Sequence, residues 1–586
     1  MTDHEATAEM PPQMQHQHLY NPHRSTPYII ILTLILGALQ LAWSTEFSEA
    51  TPFLLSLGLS KRLLSLVWLA GPLSGTIGQP IVGLLSDKCT LKYGKRRVFI
   101  LIGCLFTCGS LITLSHSREI VKFFLTPFLK GDDDDDDEDN INFYTICYAC
   151  TGIYVLDFSI AIIQASSRAL IVDVVPTEQQ QIANAWAARM IGIFNLVGFA
   201  IGTLNLTSLF PTLGDDQFKV LSVLVALIML FITCFCLWYI EERNPKTDLT
   251  LINQRKEQEH KLRQMGIDPE RDSVIKQLAN FFTQIWYSFT SISPQVKTVC
   301  YAQLFAWIGY FPLLFYTTSY VGELYLYGKG YPNPNLIPPE LKQDLMDQST
   351  RVGTYALLSN SIVTLMLVTF LPIVLEHSKS TATIVVAKRW RFKLDLRSLW
   401  IASHVIFTLC TISTFAIYSY KSAIVMFAFT GIPWGCAVWI PFTLISEEIS
   451  RIKDIKAIQI SYKQQVEGSQ IIEDDAPTID DHNSIYCTPT LIEYYNNIEY
   501  DSGILLALHN VFVSAPQMIS SLMSSVLFTI FHRSAQSNEF DSSLGWVFRF
   551  GGLMTIGAWY ISRKLATNEQ LYENDRLMAI SSELGA

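Results

Sequence analysis

The sequence has few charged residues and lacks the motifs of common soluble enzymes. Charged side chains make up 16% of its 586 residues, whereas a soluble protein carries about a quarter. The chain has no nucleotide-binding glycine loop, nucleophile–base arrangement or metal-ligand spacing. Its 11 cysteines do not follow a disulfide framework, and several lie in apolar segments as small hydrophobic side chains. We therefore expect neither an enzyme nor a bound cofactor or metal, and no nucleic-acid partner.

The N-terminal segment lacks the features of a cleaved signal peptide. It is rich in Gln, Pro and His up to Pro27 and includes His16, His18 and His23. No charged stretch leads into a short apolar core with a cleavage site. We expect residues 1–26 to be a disordered tail on the cytoplasmic side rather than a metal site.

Long hydrophobic segments dominate the rest of the chain. Half of all residues are hydrophobic, and the mean hydropathy is +0.27. The apolar residues form blocks of roughly 20, the length at which a helix crosses about 30 Å of hydrocarbon. This pattern predicts an all-α membrane protein. The twelve candidate spans lie near residues 28–50, 63–85, 97–115, 143–170, 184–210, 219–240, 296–320, 353–375, 398–418, 422–446, 502–531 and 545–562.

Two polar segments divide the predicted spans into groups. Residues 241–295 separate a six-helix bundle at 27–240 from a second at 296–562, and residues 563–586 form a tail. Gln40 and Trp43 in span one are echoed by Gln303 and Trp307 in span seven, as expected if six helices were duplicated. The second polar segment, 447–501, is acidic and contains Asn and Tyr, and we predict that it is irregular.

Lysine and arginine predict which loops face the cytoplasm. Basic residues are concentrated at 88–97, after span two, and at 379–397, after span eight. An even number of crossings separates these loops, so both are predicted to be cytoplasmic, together with 241–295, 447–501 and both termini. The eight consecutive acids from Asp132 to Asp139 then lie on the opposite side, where we expect a solvated loop.

Ionisable residues within a span are functional candidates, because burying them costs several kcal/mol unless they meet a partner or water. Asp157 lies in the middle of span four, and Arg168 follows eleven residues later on the same helix face. At roughly 16 Å apart, they are too distant for a direct salt bridge. Asp157 either takes up and releases protons or is a structural residue bonded to hydroxyls. Arg168 either neutralises a carboxylate of another helix in the same pathway or anchors the cytoplasmic end.

Glu46 and Glu49 lie late in span one, three residues apart and just before Pro52. If the helix breaks near this proline, the two carboxyls can face a water-filled cavity. They can equally lie at the outer interface of the membrane.

Other polar and aromatic side chains fall at predicted interior positions. Amides can bond the hydroxyls of a sugar, and aromatic rings can stack on its C–H surfaces. Interhelical bonding or packing is the alternative role. The candidates are Gln40, Trp43, Gln79, Gln164, Asn195, Gln303, Trp307, Trp434 and Asn510.

The loop after span two carries the most specific motif. It runs from Gly83 and Asp87 to Gly94, Arg96 and Arg97. Glycine permits tight turns and close helix contacts, and the charges can hold helix ends together on the cytoplasmic side. Asp173 and Arg189, at the adjoining ends of spans four and five, are predicted members of the same charge network. We predict that this network acts as a cytoplasmic gate.

This motif resembles the signature of the major facilitator superfamily between its second and third helices. More narrowly, the chain resembles the sucrose and maltose proton symporters of plants and fungi, and it fits the fungal branch best. The resemblance covers about residues 27–562 in order. The segments that carry it include Thr51-Pro52-Phe53, Gly71-Pro72-Leu73-Ser74-Gly75, Gln79-Pro80, Ser86-Asp87-Lys88, Leu156-Asp157, Arg168-Ala169-Leu170, Phe311-Pro312, Pro516-Gln517-Met518, and, for the fungal branch, Trp43-Ser44-Thr45-Glu46-Phe47 and Trp434-Gly435.

The resemblance implies a twelve-helix fold of two bundles, with Asp157 as the proton-coupling acid and Arg168 further along the same helix. It also implies uptake of an α-glucoside such as sucrose or maltose with a proton. The chain departs from the plant members at two places. Lys61 replaces a histidine, and Tyr316-Thr317-Thr318-Ser319-Tyr320 replaces a segment that contains acids and an arginine. These differences bear on the sugar preference and leave Asp157 in place.

The predicted function is proton–disaccharide symport by alternating access, carried out by a monomer in the plasma membrane. One alternative is an organellar sugar exporter of the same family, for example in the vacuolar membrane. Another is a membrane receptor that binds sugar without transporting it.

Overall fold

The computed structural model describes residues 23–127, 134–176, 179–242, 273–332, 334–381, 395–468, 484–498, 502–531 and 541–584. Within these ranges the chain is helical and contains no β-strand. Ten of the described helices are long and apolar enough to cross a membrane. The other two predicted spans correspond to a series of short helices over 61–88 and to a helix of 20 residues near the C-terminus.

The first half contains spans one to six and the short helices between them. Ser60 and Asp216 cap two of its helices, since their side chains accept hydrogen bonds from the amides of Leu63 and Phe218. The helices are α1 (Thr26–Thr45), α2 (Thr51–Ser56), α3 (Lys61–Val67), α4 (Ala70–Leu73), α5 (Gln79–Lys88), α6 (Arg97–Ser115), α7 (Ser117–Leu125), α8 (Asp134–Val174), α9 (Gln180–Gly202), α10 (Leu206–Leu209) and α11 (Gln217–Tyr239).

The second half contains spans seven to twelve and three helices outside the predicted spans. Ser293 caps its first long helix by accepting a hydrogen bond from the amide of Val296. The helices are α12 (Val274–Ser291), α13 (Pro294–Gly328), α14 (Pro339–Thr381), α15 (Leu396–Ile412), α16 (Tyr420–Gly468), α17 (Pro489–Asn496), α18 (Ser502–Phe531), α19 (Ser543–Ser562) and α20 (Asn568–Leu584).

One helix organises each half. In the first, α1 packs against α8, α9 and α11; in the second, α13 packs against α14, α16, α18 and α19. The halves meet where α3 contacts α18 and α9 contacts α14. This is the predicted arrangement of two six-helix bundles. We call the side with the loop at 88–97 the basic side, and the opposite side, where α8 begins, the acidic side.

Span one does not break at Pro52. The helix passes from α1 into a π-helical turn, Glu46–Ala50, and then into α2, where Pro52 occupies the first turn. Ala50 and Thr51 before it keep helical dihedral angles, and the fixed φ of proline near about −65° is compatible with the same conformation. The expected break is therefore replaced by a local widening of the helix at the two glutamates.

The acidic run is helical rather than a loop. Helix α8 begins at Asp134 and continues to Val174, while Asp132 and Asp133 lie outside the described residues. Acidic side chains in the first turns of a helix interact favourably with its macrodipole, which explains how the run can begin a membrane helix.

The segment 447–501 also differs from the prediction. Helix α16 continues through it to Gly468, and α17 follows at Pro489–Asn496. Ile452 and Ile455 are buried in one cluster with Leu491 and Tyr495 of this segment and Ala579 of α20. This packing comes from parts of the chain that are distant in sequence, so the polar composition of the segment concealed it. Residues 469–483 and 499–501 are outside the description.

Several other predictions fall partly on residues that are not described. They concern His16 and His18 in the N-terminal tail, residues 243–272 of the central segment, and residues 382–394 of the second basic loop. The remainder of the central segment contains α12.

Candidate transport pathway

Asp157 lies in the interior of the first half. Its side chain is on α8 and is 4% exposed. A β-carbon at Gly71 would lie 3.6 Å from Asp157 Oδ1, an ordinary van der Waals distance, so α4 packs directly beside the carboxyl. Within the described residues, Oδ2 has no hydrogen-bond partner. Such a carboxyl costs much less to bury in its neutral form than as an anion, which makes it suited to binding a proton.

The two glutamates of span one share this interior. Glu46 is 1% and Glu49 is 4% exposed, so both side chains are buried within the protein. Both oxygens of Glu46 and Oε1 of Glu49 lack a hydrogen-bond partner among the residues described. Glu46 interacts electrostatically with Asp157. Because two buried carboxylates repel each other, a proton on one favours ionisation of the other.

Exposure increases along the face of α8 that carries Asp157. Seven residues on, Gln164 is half-buried and accepts a hydrogen bond from the Gln79 amide. Eleven residues on, Arg168 is exposed. Positions separated by seven and eleven residues lie on one face of a helix, so exposure along this face rises toward the basic side. Arg168 has no ion pair with the described carboxylates, so the predicted neutralisation of a carboxylate on another helix is not found in this structure.

An amide network joins the two halves near the middle of the membrane. Gln40 Nε2 donates to Asn195 Oδ1 at 3.0 Å, and Ser44 Oγ approaches the same oxygen at 3.3 Å. Asn195 Nδ2 donates to Ser361 Oγ of α14 at 3.0 Å. The polar groups predicted in spans one and five therefore meet, and they also bond to the second half.

Aromatic rings fill the facing interior of the second half. Trp307 and Trp434 make an edge contact with ring centroids 5.6 Å apart, and Tyr310 packs against both. The Tyr310 hydroxyl lies 3.2 Å from His404 Nδ1. In the described part of the chain, Trp307 Nε1 and His404 Nε2 have no hydrogen-bond partner. This cluster combines flat rings with free polar atoms, as a sugar site requires.

The remaining candidates have different surroundings. Gln303 is fully buried and lies 3.1 Å from His509, measured between Nε2 atoms. Asn510, next in sequence, is exposed. Trp43 is half-buried and stacks on Phe47 with centroids 6.4 Å apart. Gln303 therefore belongs to the interior, whereas Asn510 faces the open space outside it.

The basic-side loop forms the predicted charge network. The Arg96 guanidinium bonds both Asp87 and Asp173, and Lys95 Nζ lies 3.0 Å from Asp173. The Glu242 carboxylate accepts hydrogen bonds from the amides of residues 95–97. Burial lowers the pKa of Arg96, but the two acids outweigh this effect and raise it. All of these residues belong to the first half, so these contacts tie together helix ends of that half.

Other predicted members of the gate behave differently. Gly94 has a φ of +105° and lies against Glu242, so glycine is needed there. Open space surrounds the β-carbon position of Gly83, and the predicted close contact is not found. Arg97 donates to the carbonyl of Leu237.

Arg189 does not join Asp173, contrary to our expectation. It is exposed, and its guanidinium lies over the ring of Trp186, 4.9 Å from the centroid. Cation–π contact with the neighbouring turn is available within α9, whereas the acids of the network are already occupied by Arg96 and Lys95.

The acidic side carries an ion cluster that our sequence analysis did not identify. Lys61 Nζ lies 2.6 Å from Glu323 Oε1 and 3.0 Å from Asp541 Oδ2. Glu323 also lines a cavity of about 750 Å³ between the halves, together with Asp216 and Asp347. Glu323 lies just beyond our boundary for span seven, so a longer span would have marked it. His404 and His509 lie inside predicted spans, where the rule for ionisable residues already applied.

The described residues contain no group of His, Cys, Asp and Glu arranged to hold a metal ion. The polar interior instead consists of carboxyls, amides and aromatic rings on opposing helices of two bundles. This geometry is that of a membrane transporter with a central pathway.

Comparison with known proteins agrees with this class. The general alpha-glucoside permease of Schizosaccharomyces pombe is 30% identical, and the alignment covers 93% of this chain and 94% of that protein. Sucrose transport protein SUT1 of Oryza sativa subsp. japonica is 25% identical over 72% of this chain and 75% of its own length. A profile of the PUCC protein family matches residues 57–293.

Among solved structures, the xylose transporter XylE from E. coli, in a partially occluded inward open conformation, matches with a TM-score of 0.51. The match covers 93% of this chain and 99% of that one at 12% identity, and it shows a shared fold. The chain belongs to the sucrose and α-glucoside transporter family of the major facilitator superfamily. It is a multi-pass membrane transporter and not an enzyme.

Proposed function

We propose that this protein imports an α-glucoside such as sucrose or maltose together with protons. The basic side faces the cytoplasm, and the protein works as a monomer in the plasma membrane. The substrate class is supported by the relatives, which are a general alpha-glucoside permease and sucrose transport proteins.

Asp157 is the proton-coupling residue, and its burial without a partner for Oδ2 is the observation that carries the proposal. In the ionised form this carboxyl would be strongly disfavoured inside the bundle. A proton that enters from the acidic side neutralises it, and Glu46 is the neighbouring carboxyl with which that proton can be exchanged. Protonation removes a buried charge from the closed interior, so it lowers the free energy of the occluded state.

Sugar binds between the halves, with its C–H surface on the rings of Trp307 and Trp434. Asn195 and Gln40 of the first half supply groups that can bond hydroxyls. A bound sugar that contacts both halves stabilises the state in which they are close together. Proton and sugar therefore favour the same occluded state, which is the condition for coupled transport.

The basic-side network holds the ends of spans two, three, four and six in one body. Asp87, Arg96 and Asp173 thus keep the first half rigid while it rocks against the second, as alternating access requires.

The test is uptake of labelled sucrose and maltose by the full-length protein in sealed liposomes with an imposed inward proton gradient. With an imposed difference of about two pH units, one coupled proton supports up to about 100-fold accumulation, since each unit corresponds to about 1.4 kcal/mol. We expect Asp157→Asn to abolish this accumulation and to retain sugar exchange between equal concentrations, because the side chain stays neutral through the cycle.

Asp139→Asn is the matched control, because it makes the same change on the same helix at an exposed position. It should accumulate sugar like the parent protein. Uphill uptake preserved in Asp157→Asn would contradict the coupling assignment. Sugar binding without any flux in the parent would favour a receptor, and a tagged protein found on an internal membrane would favour an organellar exporter.

A further inference from the structure

We propose that Lys61 positions the two halves by forming an ionic latch with Glu323 and Asp541, which must open before sugar can enter from the acidic side. The latch residues are Lys61, Glu323 and Asp541. This inference rests on the proposed alternating-access cycle and adds a set of gating residues to it.

The latch joins the halves through charged contacts. Lys61 begins α3 in the first half, Glu323 lies near the end of α13, and Asp541 precedes α19 in the second half. One ammonium group bonds both carboxylates, at 2.6 and 3.0 Å. Asp541 is itself held in place, since its Oδ1 accepts a hydrogen bond from the Ser543 amide at 2.9 Å.

The three side chains are shielded from solvent, with exposed fractions of 10%, 16% and 21% for Lys61, Glu323 and Asp541. Ion pairs at this level of burial are screened less than those on a surface. Removing the lysine would leave two carboxylates facing each other without their shared cation. An unpaired buried charge is strongly destabilising, so this closed arrangement depends on Lys61.

Neighbouring contacts seal the same side. Ser525 Oγ donates to the Arg62 carbonyl at 3.1 Å, and Ser521 Oγ bonds the Ser65 carbonyl, so α18 is bound to α3. Below them, Phe315 of the second half stacks on Trp68 at 4.1 Å between centroids and meets Phe47 edge-on at 5.2 Å. The latch therefore lies on the acidic side of a cluster of aromatic rings, formed by Phe47, Trp68 and Phe315, which fills the space between the halves.

Exposure rises toward the opposite end of the pathway in the same structure. The face of α8 passes from Asp157, which is buried, through Gln164, which is half-buried, to Arg168, which is exposed on the basic side. The halves are in contact on the acidic side at the latch and at the aromatic rings beneath it, so the latch is formed in a state that has a closure on this side. Breaking it should shift the population toward the state open on the acidic side.

The experiment measures this population directly in the full-length protein. Ser319 lines the acidic-side cavity and is 7% exposed, so a Ser319→Cys reporter reacts with a membrane-impermeant thiol reagent when that side opens. Modification at position 319 is followed by mass spectrometry, which separates it from the native cysteines. We expect Lys61→Met to increase the labelling rate about tenfold, and Lys61→Glu to increase it further.

Arg62→Met is the matched control, since it removes an adjacent, exposed positive charge and should leave the rate unchanged. The exchanged pair Lys61→Glu with Glu323→Lys restores a cation between two carboxylates and should return the rate toward that of the parent. Failure of the exchanged pair to do so, or equal labelling of Lys61→Met and the parent, would overturn the latch. The measurement requires neither sugar nor a proton gradient, so it stays informative if Asp157 is not the coupling residue.

Discussion

The interiors of the two halves differ in the chemistry of their buried polar groups. The first half contains the carboxyls of Glu46, Glu49 and Asp157, each of which has at least one oxygen without a partner within the described structure. The second half contains aromatic rings, of which Trp307 and Trp434 are in close contact, together with the amide of Gln303 and the buried histidines His404 and His509. Both interiors lie on helices of equivalent position, because α1 and α13 are each central to their bundle.

This difference suggests a division of labour. A buried carboxyl changes its charge by one unit when it binds a proton, so it can respond to a proton gradient. Aromatic rings and amides keep the same charge through the cycle and offer surface and hydrogen bonds instead. We infer that the first half handles the proton and the second half supplies most of the sugar contacts.

The largest effect that separates the halves is expected at Glu46. Glu46→Gln keeps the shape of the side chain but removes the carboxyl next to Asp157, so proton exchange should be impaired. We expect accumulation under an imposed proton gradient to fall about tenfold, which corresponds to about 1.4 kcal/mol. Sugar exchange without a gradient, measured in the same liposomes, should remain near the parent rate. Slowed exchange of equal size would place Glu46 among the sugar contacts.

The reciprocal change in the second half should alter sugar affinity alone. Trp434→Ala removes a ring that packs against Trp307 and Tyr310, and aromatic contacts contribute about 0.5–1.5 kcal/mol beyond buried area. We expect the KM for sugar to rise about tenfold with an unchanged accumulation ratio. Trp434→Phe is the control and should recover most of the affinity. Loss of accumulation at saturating sugar would contradict the division between the halves.

A separate effect, on stability rather than on transport, is expected where the halves share a residue. Asn195 bonds Gln40 in its own half and Ser361 in the other. Asn195→Ala leaves these partners unsatisfied, at a cost of about 1–3 kcal/mol. Thermal unfolding of the purified protein should show a lower midpoint. Asn184→Ala, on the exposed face of the same helix, is the control. If both variants lowered the unfolding midpoint equally, the hydrogen bonds of Asn195 between the halves would not contribute to stability.

The smallest effect is expected at Arg189. Its contact with Trp186 is exposed, and a cation–π contact at such a site contributes about 0.5–1 kcal/mol. Arg189→Ala should therefore transport sugar at the parent rate. A large loss of transport, comparable to the loss in Arg96→Ala, would contradict this expectation. It would indicate that Arg189 belongs to the charge network after all.

Hydropathy alone was sufficient to predict the membrane spans and the two bundles. Backbone groups in lipid must be bonded within the segment, so an apolar block of sufficient length has to form a helix. Asp157 and Glu46 were identified as candidates because burying a carboxyl in an apolar block costs several kcal/mol, so such a residue is expected to have a function. The amides Gln40 and Asn195 were also found as candidates, although their contact with each other follows only from the packing of α1 on α9.

Hydropathy was a poor guide outside the lipid. The continuation of α16 beyond residue 447 depends on isoleucines that are buried by α17 and α20, and composition alone does not indicate such partners. Arg189 was assigned to the wrong contact for a similar reason, because several cations lie near the same acids and only geometry decides which of them bond.

What the sequence determined by itself is therefore the class of the protein, its helical spans and the acid in its fourth span, because lipid imposes a simple and local rule on each segment. The tertiary structure alone decided how charges are paired across the chain. Lys61 and Asp541 are 480 positions apart, and Glu323 lies between them in sequence. These three residues meet only because the two bundles pack against each other on the acidic side. No property of any single segment specifies that contact.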